Sequence, residues 1–136
     1  MSEKLEEISF RLNDYHTAGG VTFDAVLSEQ GDTLEVTCSE NPDFPIVVTA
    51  TDTQIISVTP LFALSDVVDD KRDELNKILL ALSPVVPLSA IGLQEDMYIL
   101  FGSMAVNTVF ENLAHELEVQ ADNTLEVLDA LKDFLK

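Results

Sequence analysis

The sequence predicts a single α+β domain over residues 1–136, an antiparallel sheet flanked by helices in the order α-β-β-β-β-α-β-β-α-α. Three observations predict it. The chain has 136 residues, 46% of them hydrophobic, which is one domain's length with enough apolar side chain for a core. Apolar residues recur with a period of two through residues 21–62 and again after Pro87, whereas the stretches before, between and after keep helical spacing. The links within the period-two regions are short, and strands joined by short links pair antiparallel. No internal repeat, low-complexity tract or linker divides the chain.

Each element follows from its own signals. Leu5, Ile8, Leu12 and Tyr15 mark a helix over residues 3 to about 16, with Gly19-Gly20 as its stop. Phe10 points away from that stripe, among Glu3, Glu6 and Asn13. It is either a second core contact or an exposed aromatic available to a partner. Val21, Phe23, Ala25 and Leu27, then Leu34, Val36 and Cys38, form two strands joined by a hairpin at Gln30-Gly31-Asp32. After a loop at 40–45, a third strand covers about 46–51 and a fourth about 54–61. Pro42, Pro45 and Pro60, which have no N–H to donate, belong at strand ends or edges.

Ser65 is a candidate N-cap for a helix with Val68, Leu75, Ile78, Leu79 and Leu82 on its buried face, ended by Ser83-Pro84. Two strands follow, about 88–93 and 97–104, linked by Gln94-Glu95-Asp96. Thr108-Val109-Phe110-Glu111 matches a capping box. The helix it opens has Val109, Phe110, Leu113, Ala114, Leu117 and Ala121 on one side and Glu111, His115, Glu118 and Val119 on the other. A second helix restarts at Asn123, with Val127, Leu128, Leu131, Phe134 and Leu135 as a stripe suited to a subunit interface.

Charge decides much about partners. With 25 acidic side chains against 7 basic ones, the net charge is −18, and residues 12–70 and 78–131 contain no Lys or Arg. Phosphate recognition rests on clustered basic side chains, so the chain is expected to bind neither nucleic acid nor an anionic membrane surface. Disordered acidic chains are poor in aliphatic residues, whereas the mean hydropathy here is +0.18, so the acidity sits on a folded surface. Cys38 is the only cysteine, the N-terminus lacks the basic and apolar regions of a secretory signal, and no stretch is a spanning helix. The expected location is the cytoplasm.

No catalytic residue, metal ligand or cofactor site is expected. Cys38 shares the parity of Leu34 and Val36 and reads as a small core residue. The five glycines form no phosphate-binding loop, and the acidic runs lack the spacing of a calcium loop. His115, with Glu111 at i−4 and Glu118 at i+3, places three potential ligands on one helical face. That triplet supports an alternative reading, a small metal-dependent enzyme centred on His115.

The run Asn76-Lys77-Ile78-Leu79-Leu80 with Pro87-Leu88-Ser89, then Tyr98-Ile99-Leu100-Phe101-Gly102-Ser103 and Ala121-Asp122-Asn123-Thr124-Leu125-Glu126, resembles the YjfI-like family of uncharacterised bacterial proteins. The resemblance runs over nearly the whole chain, and its motifs are apolar and structural. It implies a link to an envelope-stress module, because members are commonly encoded beside a homologue of phage shock protein A, a membrane-associated coiled-coil protein. The element order is also similar to that of type III secretion chaperones. That likeness implies a small acidic cytoplasmic homodimer that holds an extended segment of a client without catalysis.

These readings converge on a non-catalytic protein-binding domain, chaperone-like or adaptor, acting as a homodimer with a protein partner. Phe10 and Val119 are the apolar residues expected outside the core and available for contact. A rival reading is an acidic mimic of nucleic acid that occupies the basic groove of another protein.

Overall fold

In the computed structural model, which describes residues 2–136, the first apolar stripe becomes the buried face of α1 (Ser2–Asn13), with Leu5, Ile8 and Leu12 inside. The period-two segments form one antiparallel sheet. Its strands are β1 (Phe23–Leu27), β2 (Leu34–Cys38), β3 (Asn41–Ala50), β4 (Gln54–Ala63), β5 (Ala90–Gln94) and β6 (Met97–Ala105), in the spatial order β1-β2-β3-β4-β6-β5. Two further helices, α2 (Arg72–Leu82) and α3 (Phe110–Leu131), complete the layer that α1 begins.

Side-chain parity fixes which sheet face is covered. The cross-strand row Leu27, Leu34, Val48, Ser57, Gly102 lies under the helices, and the row Val26, Glu35, Val47, Val58, Phe101 faces the other way. The covered face holds two apolar cores. One gathers α1, β1–β3 and the first half of α3, around Leu5, Leu12, Val36, Ile46 and Leu117. The other gathers α2, β6 and the second half of α3, around Leu75, Leu79, Tyr98, Leu100 and Leu131.

Between the cores runs a buried polar seam. Gln120, 1% exposed at mid-α3, accepts through Oε1 from Ser57 Oγ at 2.7 Å and donates through Nε2 to Thr59 Oγ1 at 2.9 Å. Each amide atom is satisfied, as burial demands. Gly102 is small for this reason, since a Cβ there would lie 3.1 Å from Ser57 Oγ and 3.3 Å from Gln120 Oε1.

Several elements differ from their sequence expectations, each for a tertiary reason. α1 stops at Asn13, and His16 instead bridges Thr22 as the chain turns into the sheet. The expected loop at 40–45 is strand. A tight turn at Ser39-Glu40 lets β3 start at Asn41, where the side chain donates to Ala121 O of α3 at 3.1 Å. Pro42 and Pro45 are tolerated because β4 joins β3 only from Val47 onward, and Pro60 because β3 has stopped pairing beyond Val58.

α2 begins at Arg72 rather than after Ser65, because residues 66–68 are pinned to the C-terminus. Lys136 N–H donates to Asp66 O at 2.8 Å and Val68 N–H to Phe134 O at 2.9 Å, which holds Val67 extended and fully buried. The two expected C-terminal helices are one helix of 22 residues. Asn123 caps nothing: it is buried and donates to Pro87 O at 2.8 Å, while Thr124 Oγ1 donates to Gln120 O within the helix. The capping box does not form either, since Thr108 Oγ1 donates to Ala105 O and Val109, the N-cap, is exposed. Among the described residues no helix is long and apolar enough to cross a membrane.

Candidate functional site

The residues expected to carry contact lie on separate surfaces. Phe10 stands on the outer face of α1, 78% exposed, so the core-contact alternative is not the one the fold adopts. It borders a hollow shared with Arg11, Asp14, Tyr15, Phe110 and Glu111. The floor of that hollow is ordered by aromatic and cationic contacts. The Arg11 guanidinium lies 4.2 Å above the Phe110 ring and 3.9 Å from Glu111, and Tyr15 meets Phe110 edge-on at 5.1 Å. Val119 is half-buried on α3 and is not part of this hollow.

The His115 triplet does not assemble. His115 is exposed, Glu111 faces Arg11, and Glu118 accepts a hydrogen bond from Thr17 Oγ1 at 3.1 Å. Among the described residues, no three His, Cys, Asp or Glu side chains converge as a metal cage. The bond from Thr17 makes Glu118 a brace for the loop between α1 and β1, since Thr17 Oγ1 also accepts from Val21 N–H at 3.1 Å.

Cys38 is buried, and desolvation pushes its thiol up to about 11, so it stays protonated and unreactive. Its sulfur lies 3.9 Å from Glu40 Oε1. Glu40 is itself held up to about 7, first by desolvation and then by its contact with Asp122 and the charge of Glu118. Carboxylates from the β2–β3 turn and from α3 crowd one another here.

The most developed apolar surface was not anticipated. α2 and β5 leave between them a groove of about 290 Å³ lined by Asn76, Leu79, Leu80, Ile91, Leu93 and Tyr98. Leu79 belongs to the core, but its neighbour Leu80 is 76% exposed and Leu93 is 53% exposed. The groove floor is fixed by Tyr98, whose hydroxyl donates to Asn76 Oδ1 at 2.6 Å. A signal was available in the sequence: adjacent leucines on a helix lie 100° apart, so a one-faced helix leaves one of them outside.

The two outer edges of the sheet are finished differently. At the β1 edge, Asn13 of α1 acts as a substitute strand. Its Oδ1 accepts from Ala25 N–H at 2.7 Å and its Nδ2 donates to Ala25 O at 3.0 Å. At the β5 edge, only Ile91 N–H is met by a side chain, Ser83 Oγ at 3.0 Å. That bond points away from β6, so Ile91 and Leu93 are the residues whose backbone groups face outward, by the alternation of an antiparallel ladder.

Comparison with known proteins agrees with this architecture. The chain is 28% identical over 114 residues, 74% of its length and 84% of the relative's, to the uncharacterised protein YjfI of Escherichia coli K12. The O157:H7 protein of the same name matches to the same extent. Among solved structures, a chain of the HopA1–SchA chaperone–effector complex superposes with a TM-score of 0.61 at 15% identity, covering 91% of this chain and 89% of that one. A chain of the ExsC–ExsE complex superposes with a TM-score of 0.55 at 10% identity, covering 96% and 91%. The six-stranded sheet with three helices thus resembles the type III secretion chaperone fold. The model of a family described as uncharacterized proteins conserved in bacteria, DUF2170, matches residues 3–135, and the chain belongs to that family.

Proposed function

We propose that this chain is a non-catalytic protein-binding domain, chaperone-like or adaptor, that works in the cytoplasm as a homodimer. The observation that carries the reading is the α2–β5 groove, where Leu80 and Leu93 stand exposed on a chain of net charge −18. Exposed apolar grooves rimmed by polar residues are typical of surfaces that hold another protein. The fold shared with chains of chaperone–effector complexes supports the same class of activity.

The physical division of labour is simple. Acidic side chains steer a partner with basic surface into encounter, an effect screened by salt, and apolar burial in the groove holds it. A homologue of phage shock protein A, in an envelope-stress module, is the partner this reading favours.

Self-association has its own candidate surface. The C-terminal stripe is spent on the chain's own core, with Val127 and Leu131 buried. The helix-free sheet face remains. Val47, Ile56, Val58 and Phe101 are partly exposed there, and β4, β6 and β5 place no charged residue on that face. It is the area where a second copy meets least like-charge repulsion.

The test is gel filtration with light scattering on the purified chain, alone and mixed with the phage-shock-protein-A homologue of its own host, at low and high salt. The expected result is a dimer that takes up the partner at fixed stoichiometry at low salt and releases it as salt rises. A monomer that forms no complex with that protein, and with no stoichiometric partner from its native host, overturns the reading.

A further inference from the structure

We propose that residues 132–136 form a releasable strap that sets where α2 begins and, through α2, the width of the groove beside β5. With the strap docked, Val67 and Val68 are extended and α2 starts at Arg72. With it undocked, the helix runs from Ser65 through Leu82, the connection to β4 shortens, and α2 moves. This two-state element follows from the chain's own contacts and holds whether or not the groove takes a protein partner.

Three observations carry it together. The first is how little separates the two states. Leu64–Asp66 and Asp69–Lys71 are already single 3-10 turns, so only Val67 and Val68 interrupt a helical path from Leu64 to Leu82. Val67 has φ −87° and ψ 137°, and Val68 has φ −57° and ψ 127°. Both φ values lie in the helical range, so rotation about two ψ angles, with a smaller adjustment at Lys71, joins the turns to α2.

The second is the local sequence. Ser65 is a good N-cap, and Asp66, Asp69 and Asp70 fall in the first turns of the longer helix, where negative charge complements the dipole. Val68 stands seven residues before Leu75 and eleven before Leu79, on the stripe that α2 buries. Against these stand two β-branched valines, which are weak helix formers. The balance is close enough for tertiary contacts to decide it.

The third is what holds the extended form. Val68 N–H donates to Phe134 O at 2.9 Å and Lys136 N–H donates to Asp66 O at 2.8 Å, on either side of the bridge between Val67 and Leu135. Val67 is fully buried in the core of Leu75, Leu79 and Leu131. The other strap contacts are exposed. Lys136 Nζ lies 3.7 Å from Asp69, which Arg72 shares at 3.6 Å, and Lys71 Nζ stands 5.7 Å from the Phe134 ring centroid. Such pairs contribute little and are screened by salt. Two backbone bonds and the seat of one valine therefore oppose the helix preference of the segment.

The link to the groove is geometric. Two residues that pass from extended to helical shorten the connection by about 4 Å, the rise falling from about 3.3 to about 1.5 Å per residue. The end of β4 is held, because it pairs with β6 and Leu64 N–H donates to Asp96 O at 2.7 Å. The change falls on α2, which carries Leu79 and Leu80 on one wall of the groove opposite Ile91 and Leu93. A ligand that binds one groove width better would select the corresponding strap state.

The test uses the full chain, with saturation-transfer NMR to read the chemical shifts of a minor state and amide hydrogen exchange to read opening. The expected minor state has helical Cα shifts at residues 66–70, and the same exchange process appears at Leu80 and Leu93. The Val68 and Lys136 amides are expected to open together, about tenfold or more faster than amides around Leu117 in α3. Lys136→Pro removes one strap bond, and Leu135, with φ −98° and ψ 147°, already suits the position before a proline. It is expected to raise the minor population about tenfold. Adding Val68→Pro keeps the φ that Val68 already has but bars Val67 from the helical region, so the helical shifts should vanish while the strap stays open.

Random-coil shifts at 66–70 in the minor state would mean that the strap frays without lengthening α2, and overturn the inference. So does the lack of a minor state in both the parent and Lys136→Pro, a process at 66–70 that leaves Leu80 and Leu93 still, or helical shifts that survive Val68→Pro. Opening of Val68 and Lys136 only at the rate of mid-α3 overturns it too, because the strap would then leave only with the whole fold. The parent chain alone supplies the shift and opening readouts, so a variant that failed to fold would not shield the inference from them.

Discussion

The two ends of the sheet are built from the same materials and finished in opposite ways. At the β1 end, α1 lies against the sheet with three fully or nearly buried residues, and its last residue, Asn13, closes the strand edge. At the β5 end, α2 buries Leu75 and Leu79 but leaves Leu80 outside, and of the outward backbone groups Ile91 N–H is met by Ser83 Oγ while Leu93 has no side chain bonded to it. The difference teaches that exposure at β5 belongs to the arrangement of α2, and that the same fold has the means to close an edge where closure is wanted.

The contrast can be broken most severely from the closed end. Leu12→Ala removes a fully buried side chain from the core beneath α1, and leaves a cavity where α1 meets β1. The expected loss is about 3 kcal/mol, read as a lower urea midpoint. Leu80→Asp at the open end is expected to leave that midpoint within about 0.5 kcal/mol, since its side chain is exposed. Equal losses at the two sites would erase the distinction.

The seam between the ends comes next. Gln120→Ala strands the buried Thr59 hydroxyl, leaves Ser57 with only its 3.4 Å bond to Gly102 O, and empties the volume between two cores. The expected cost is about 2 kcal/mol in chemical denaturation. A Gln120→Leu variant sharpens the point: it restores volume but not partners, so it should recover only part of the loss. Full recovery would mean that the seam is packing and not hydrogen bonding.

How far the sequence revealed this molecule differs between its levels. The strand parities, both hairpins and the apolar stripe of α1 were legible, because burial on one face imposes a period that local pattern preserves. What failed were places where a distant contact overrode a local signal. Asn123 with Glu126 three residues later reads as a helix start, yet its amide is occupied by Pro87 and Ser89, and the helix runs through. Ser65 reads as an N-cap, yet it lies inside a short 3-10 turn, Leu64–Asp66, and the C-terminal residues hold Val67 extended beyond it.

The candidate site followed the same rule. Phe10 stood out because it broke its helix's stripe, and the Leu79-Leu80 pair carried the same kind of signal. The open edge itself had no sequence signature. Which strand ends a sheet depends on the long crossover that carries the chain from β4 through α2 to β5, and only the assembled topology decides it.

A smaller effect tests the closed edge directly. Asn13→Ala leaves α1 in place but removes both bonds to Ala25. A loss of about 1 kcal/mol is expected, because water reaches this partly exposed site and replaces part of what is lost. The more telling readout is local. The Ala25 amide should exchange markedly faster than in the parent while amides of β3 and β4 do not change, and the variant should gain the tendency to self-associate that open edges bring. Unchanged exchange at Ala25 would show that Asn13 decorates the edge and does not close it.

The smallest expected effect concerns pH and separates the two ends by chemistry. Glu40 sits in the β2–β3 turn against Asp122 and Glu118 of α3, with its pKa held up to about 7, against an ordinary value of 4.5. The folded chain therefore holds this proton over a range in which the unfolded chain has released it. Stability from this site is fully present below about pH 4.5 and is lost as pH rises through about 7, the direction opposite to that of a carboxylate in a salt bridge. Glu40→Gln, which keeps the shape and cannot ionise, should flatten this part of the pH profile, stabilise the fold at about pH 8 and change little at about pH 4. Exchange in the β2–β3 turn should follow the same curve, whereas exchange at β5, remote from these carboxylates in the sheet order, should not. A parent protein whose thermal midpoint rises from pH 5 to pH 8, with Glu40→Gln tracking it, would mean that Glu40 is ionised throughout and that the crowding of carboxylates at the closed end carries no cost.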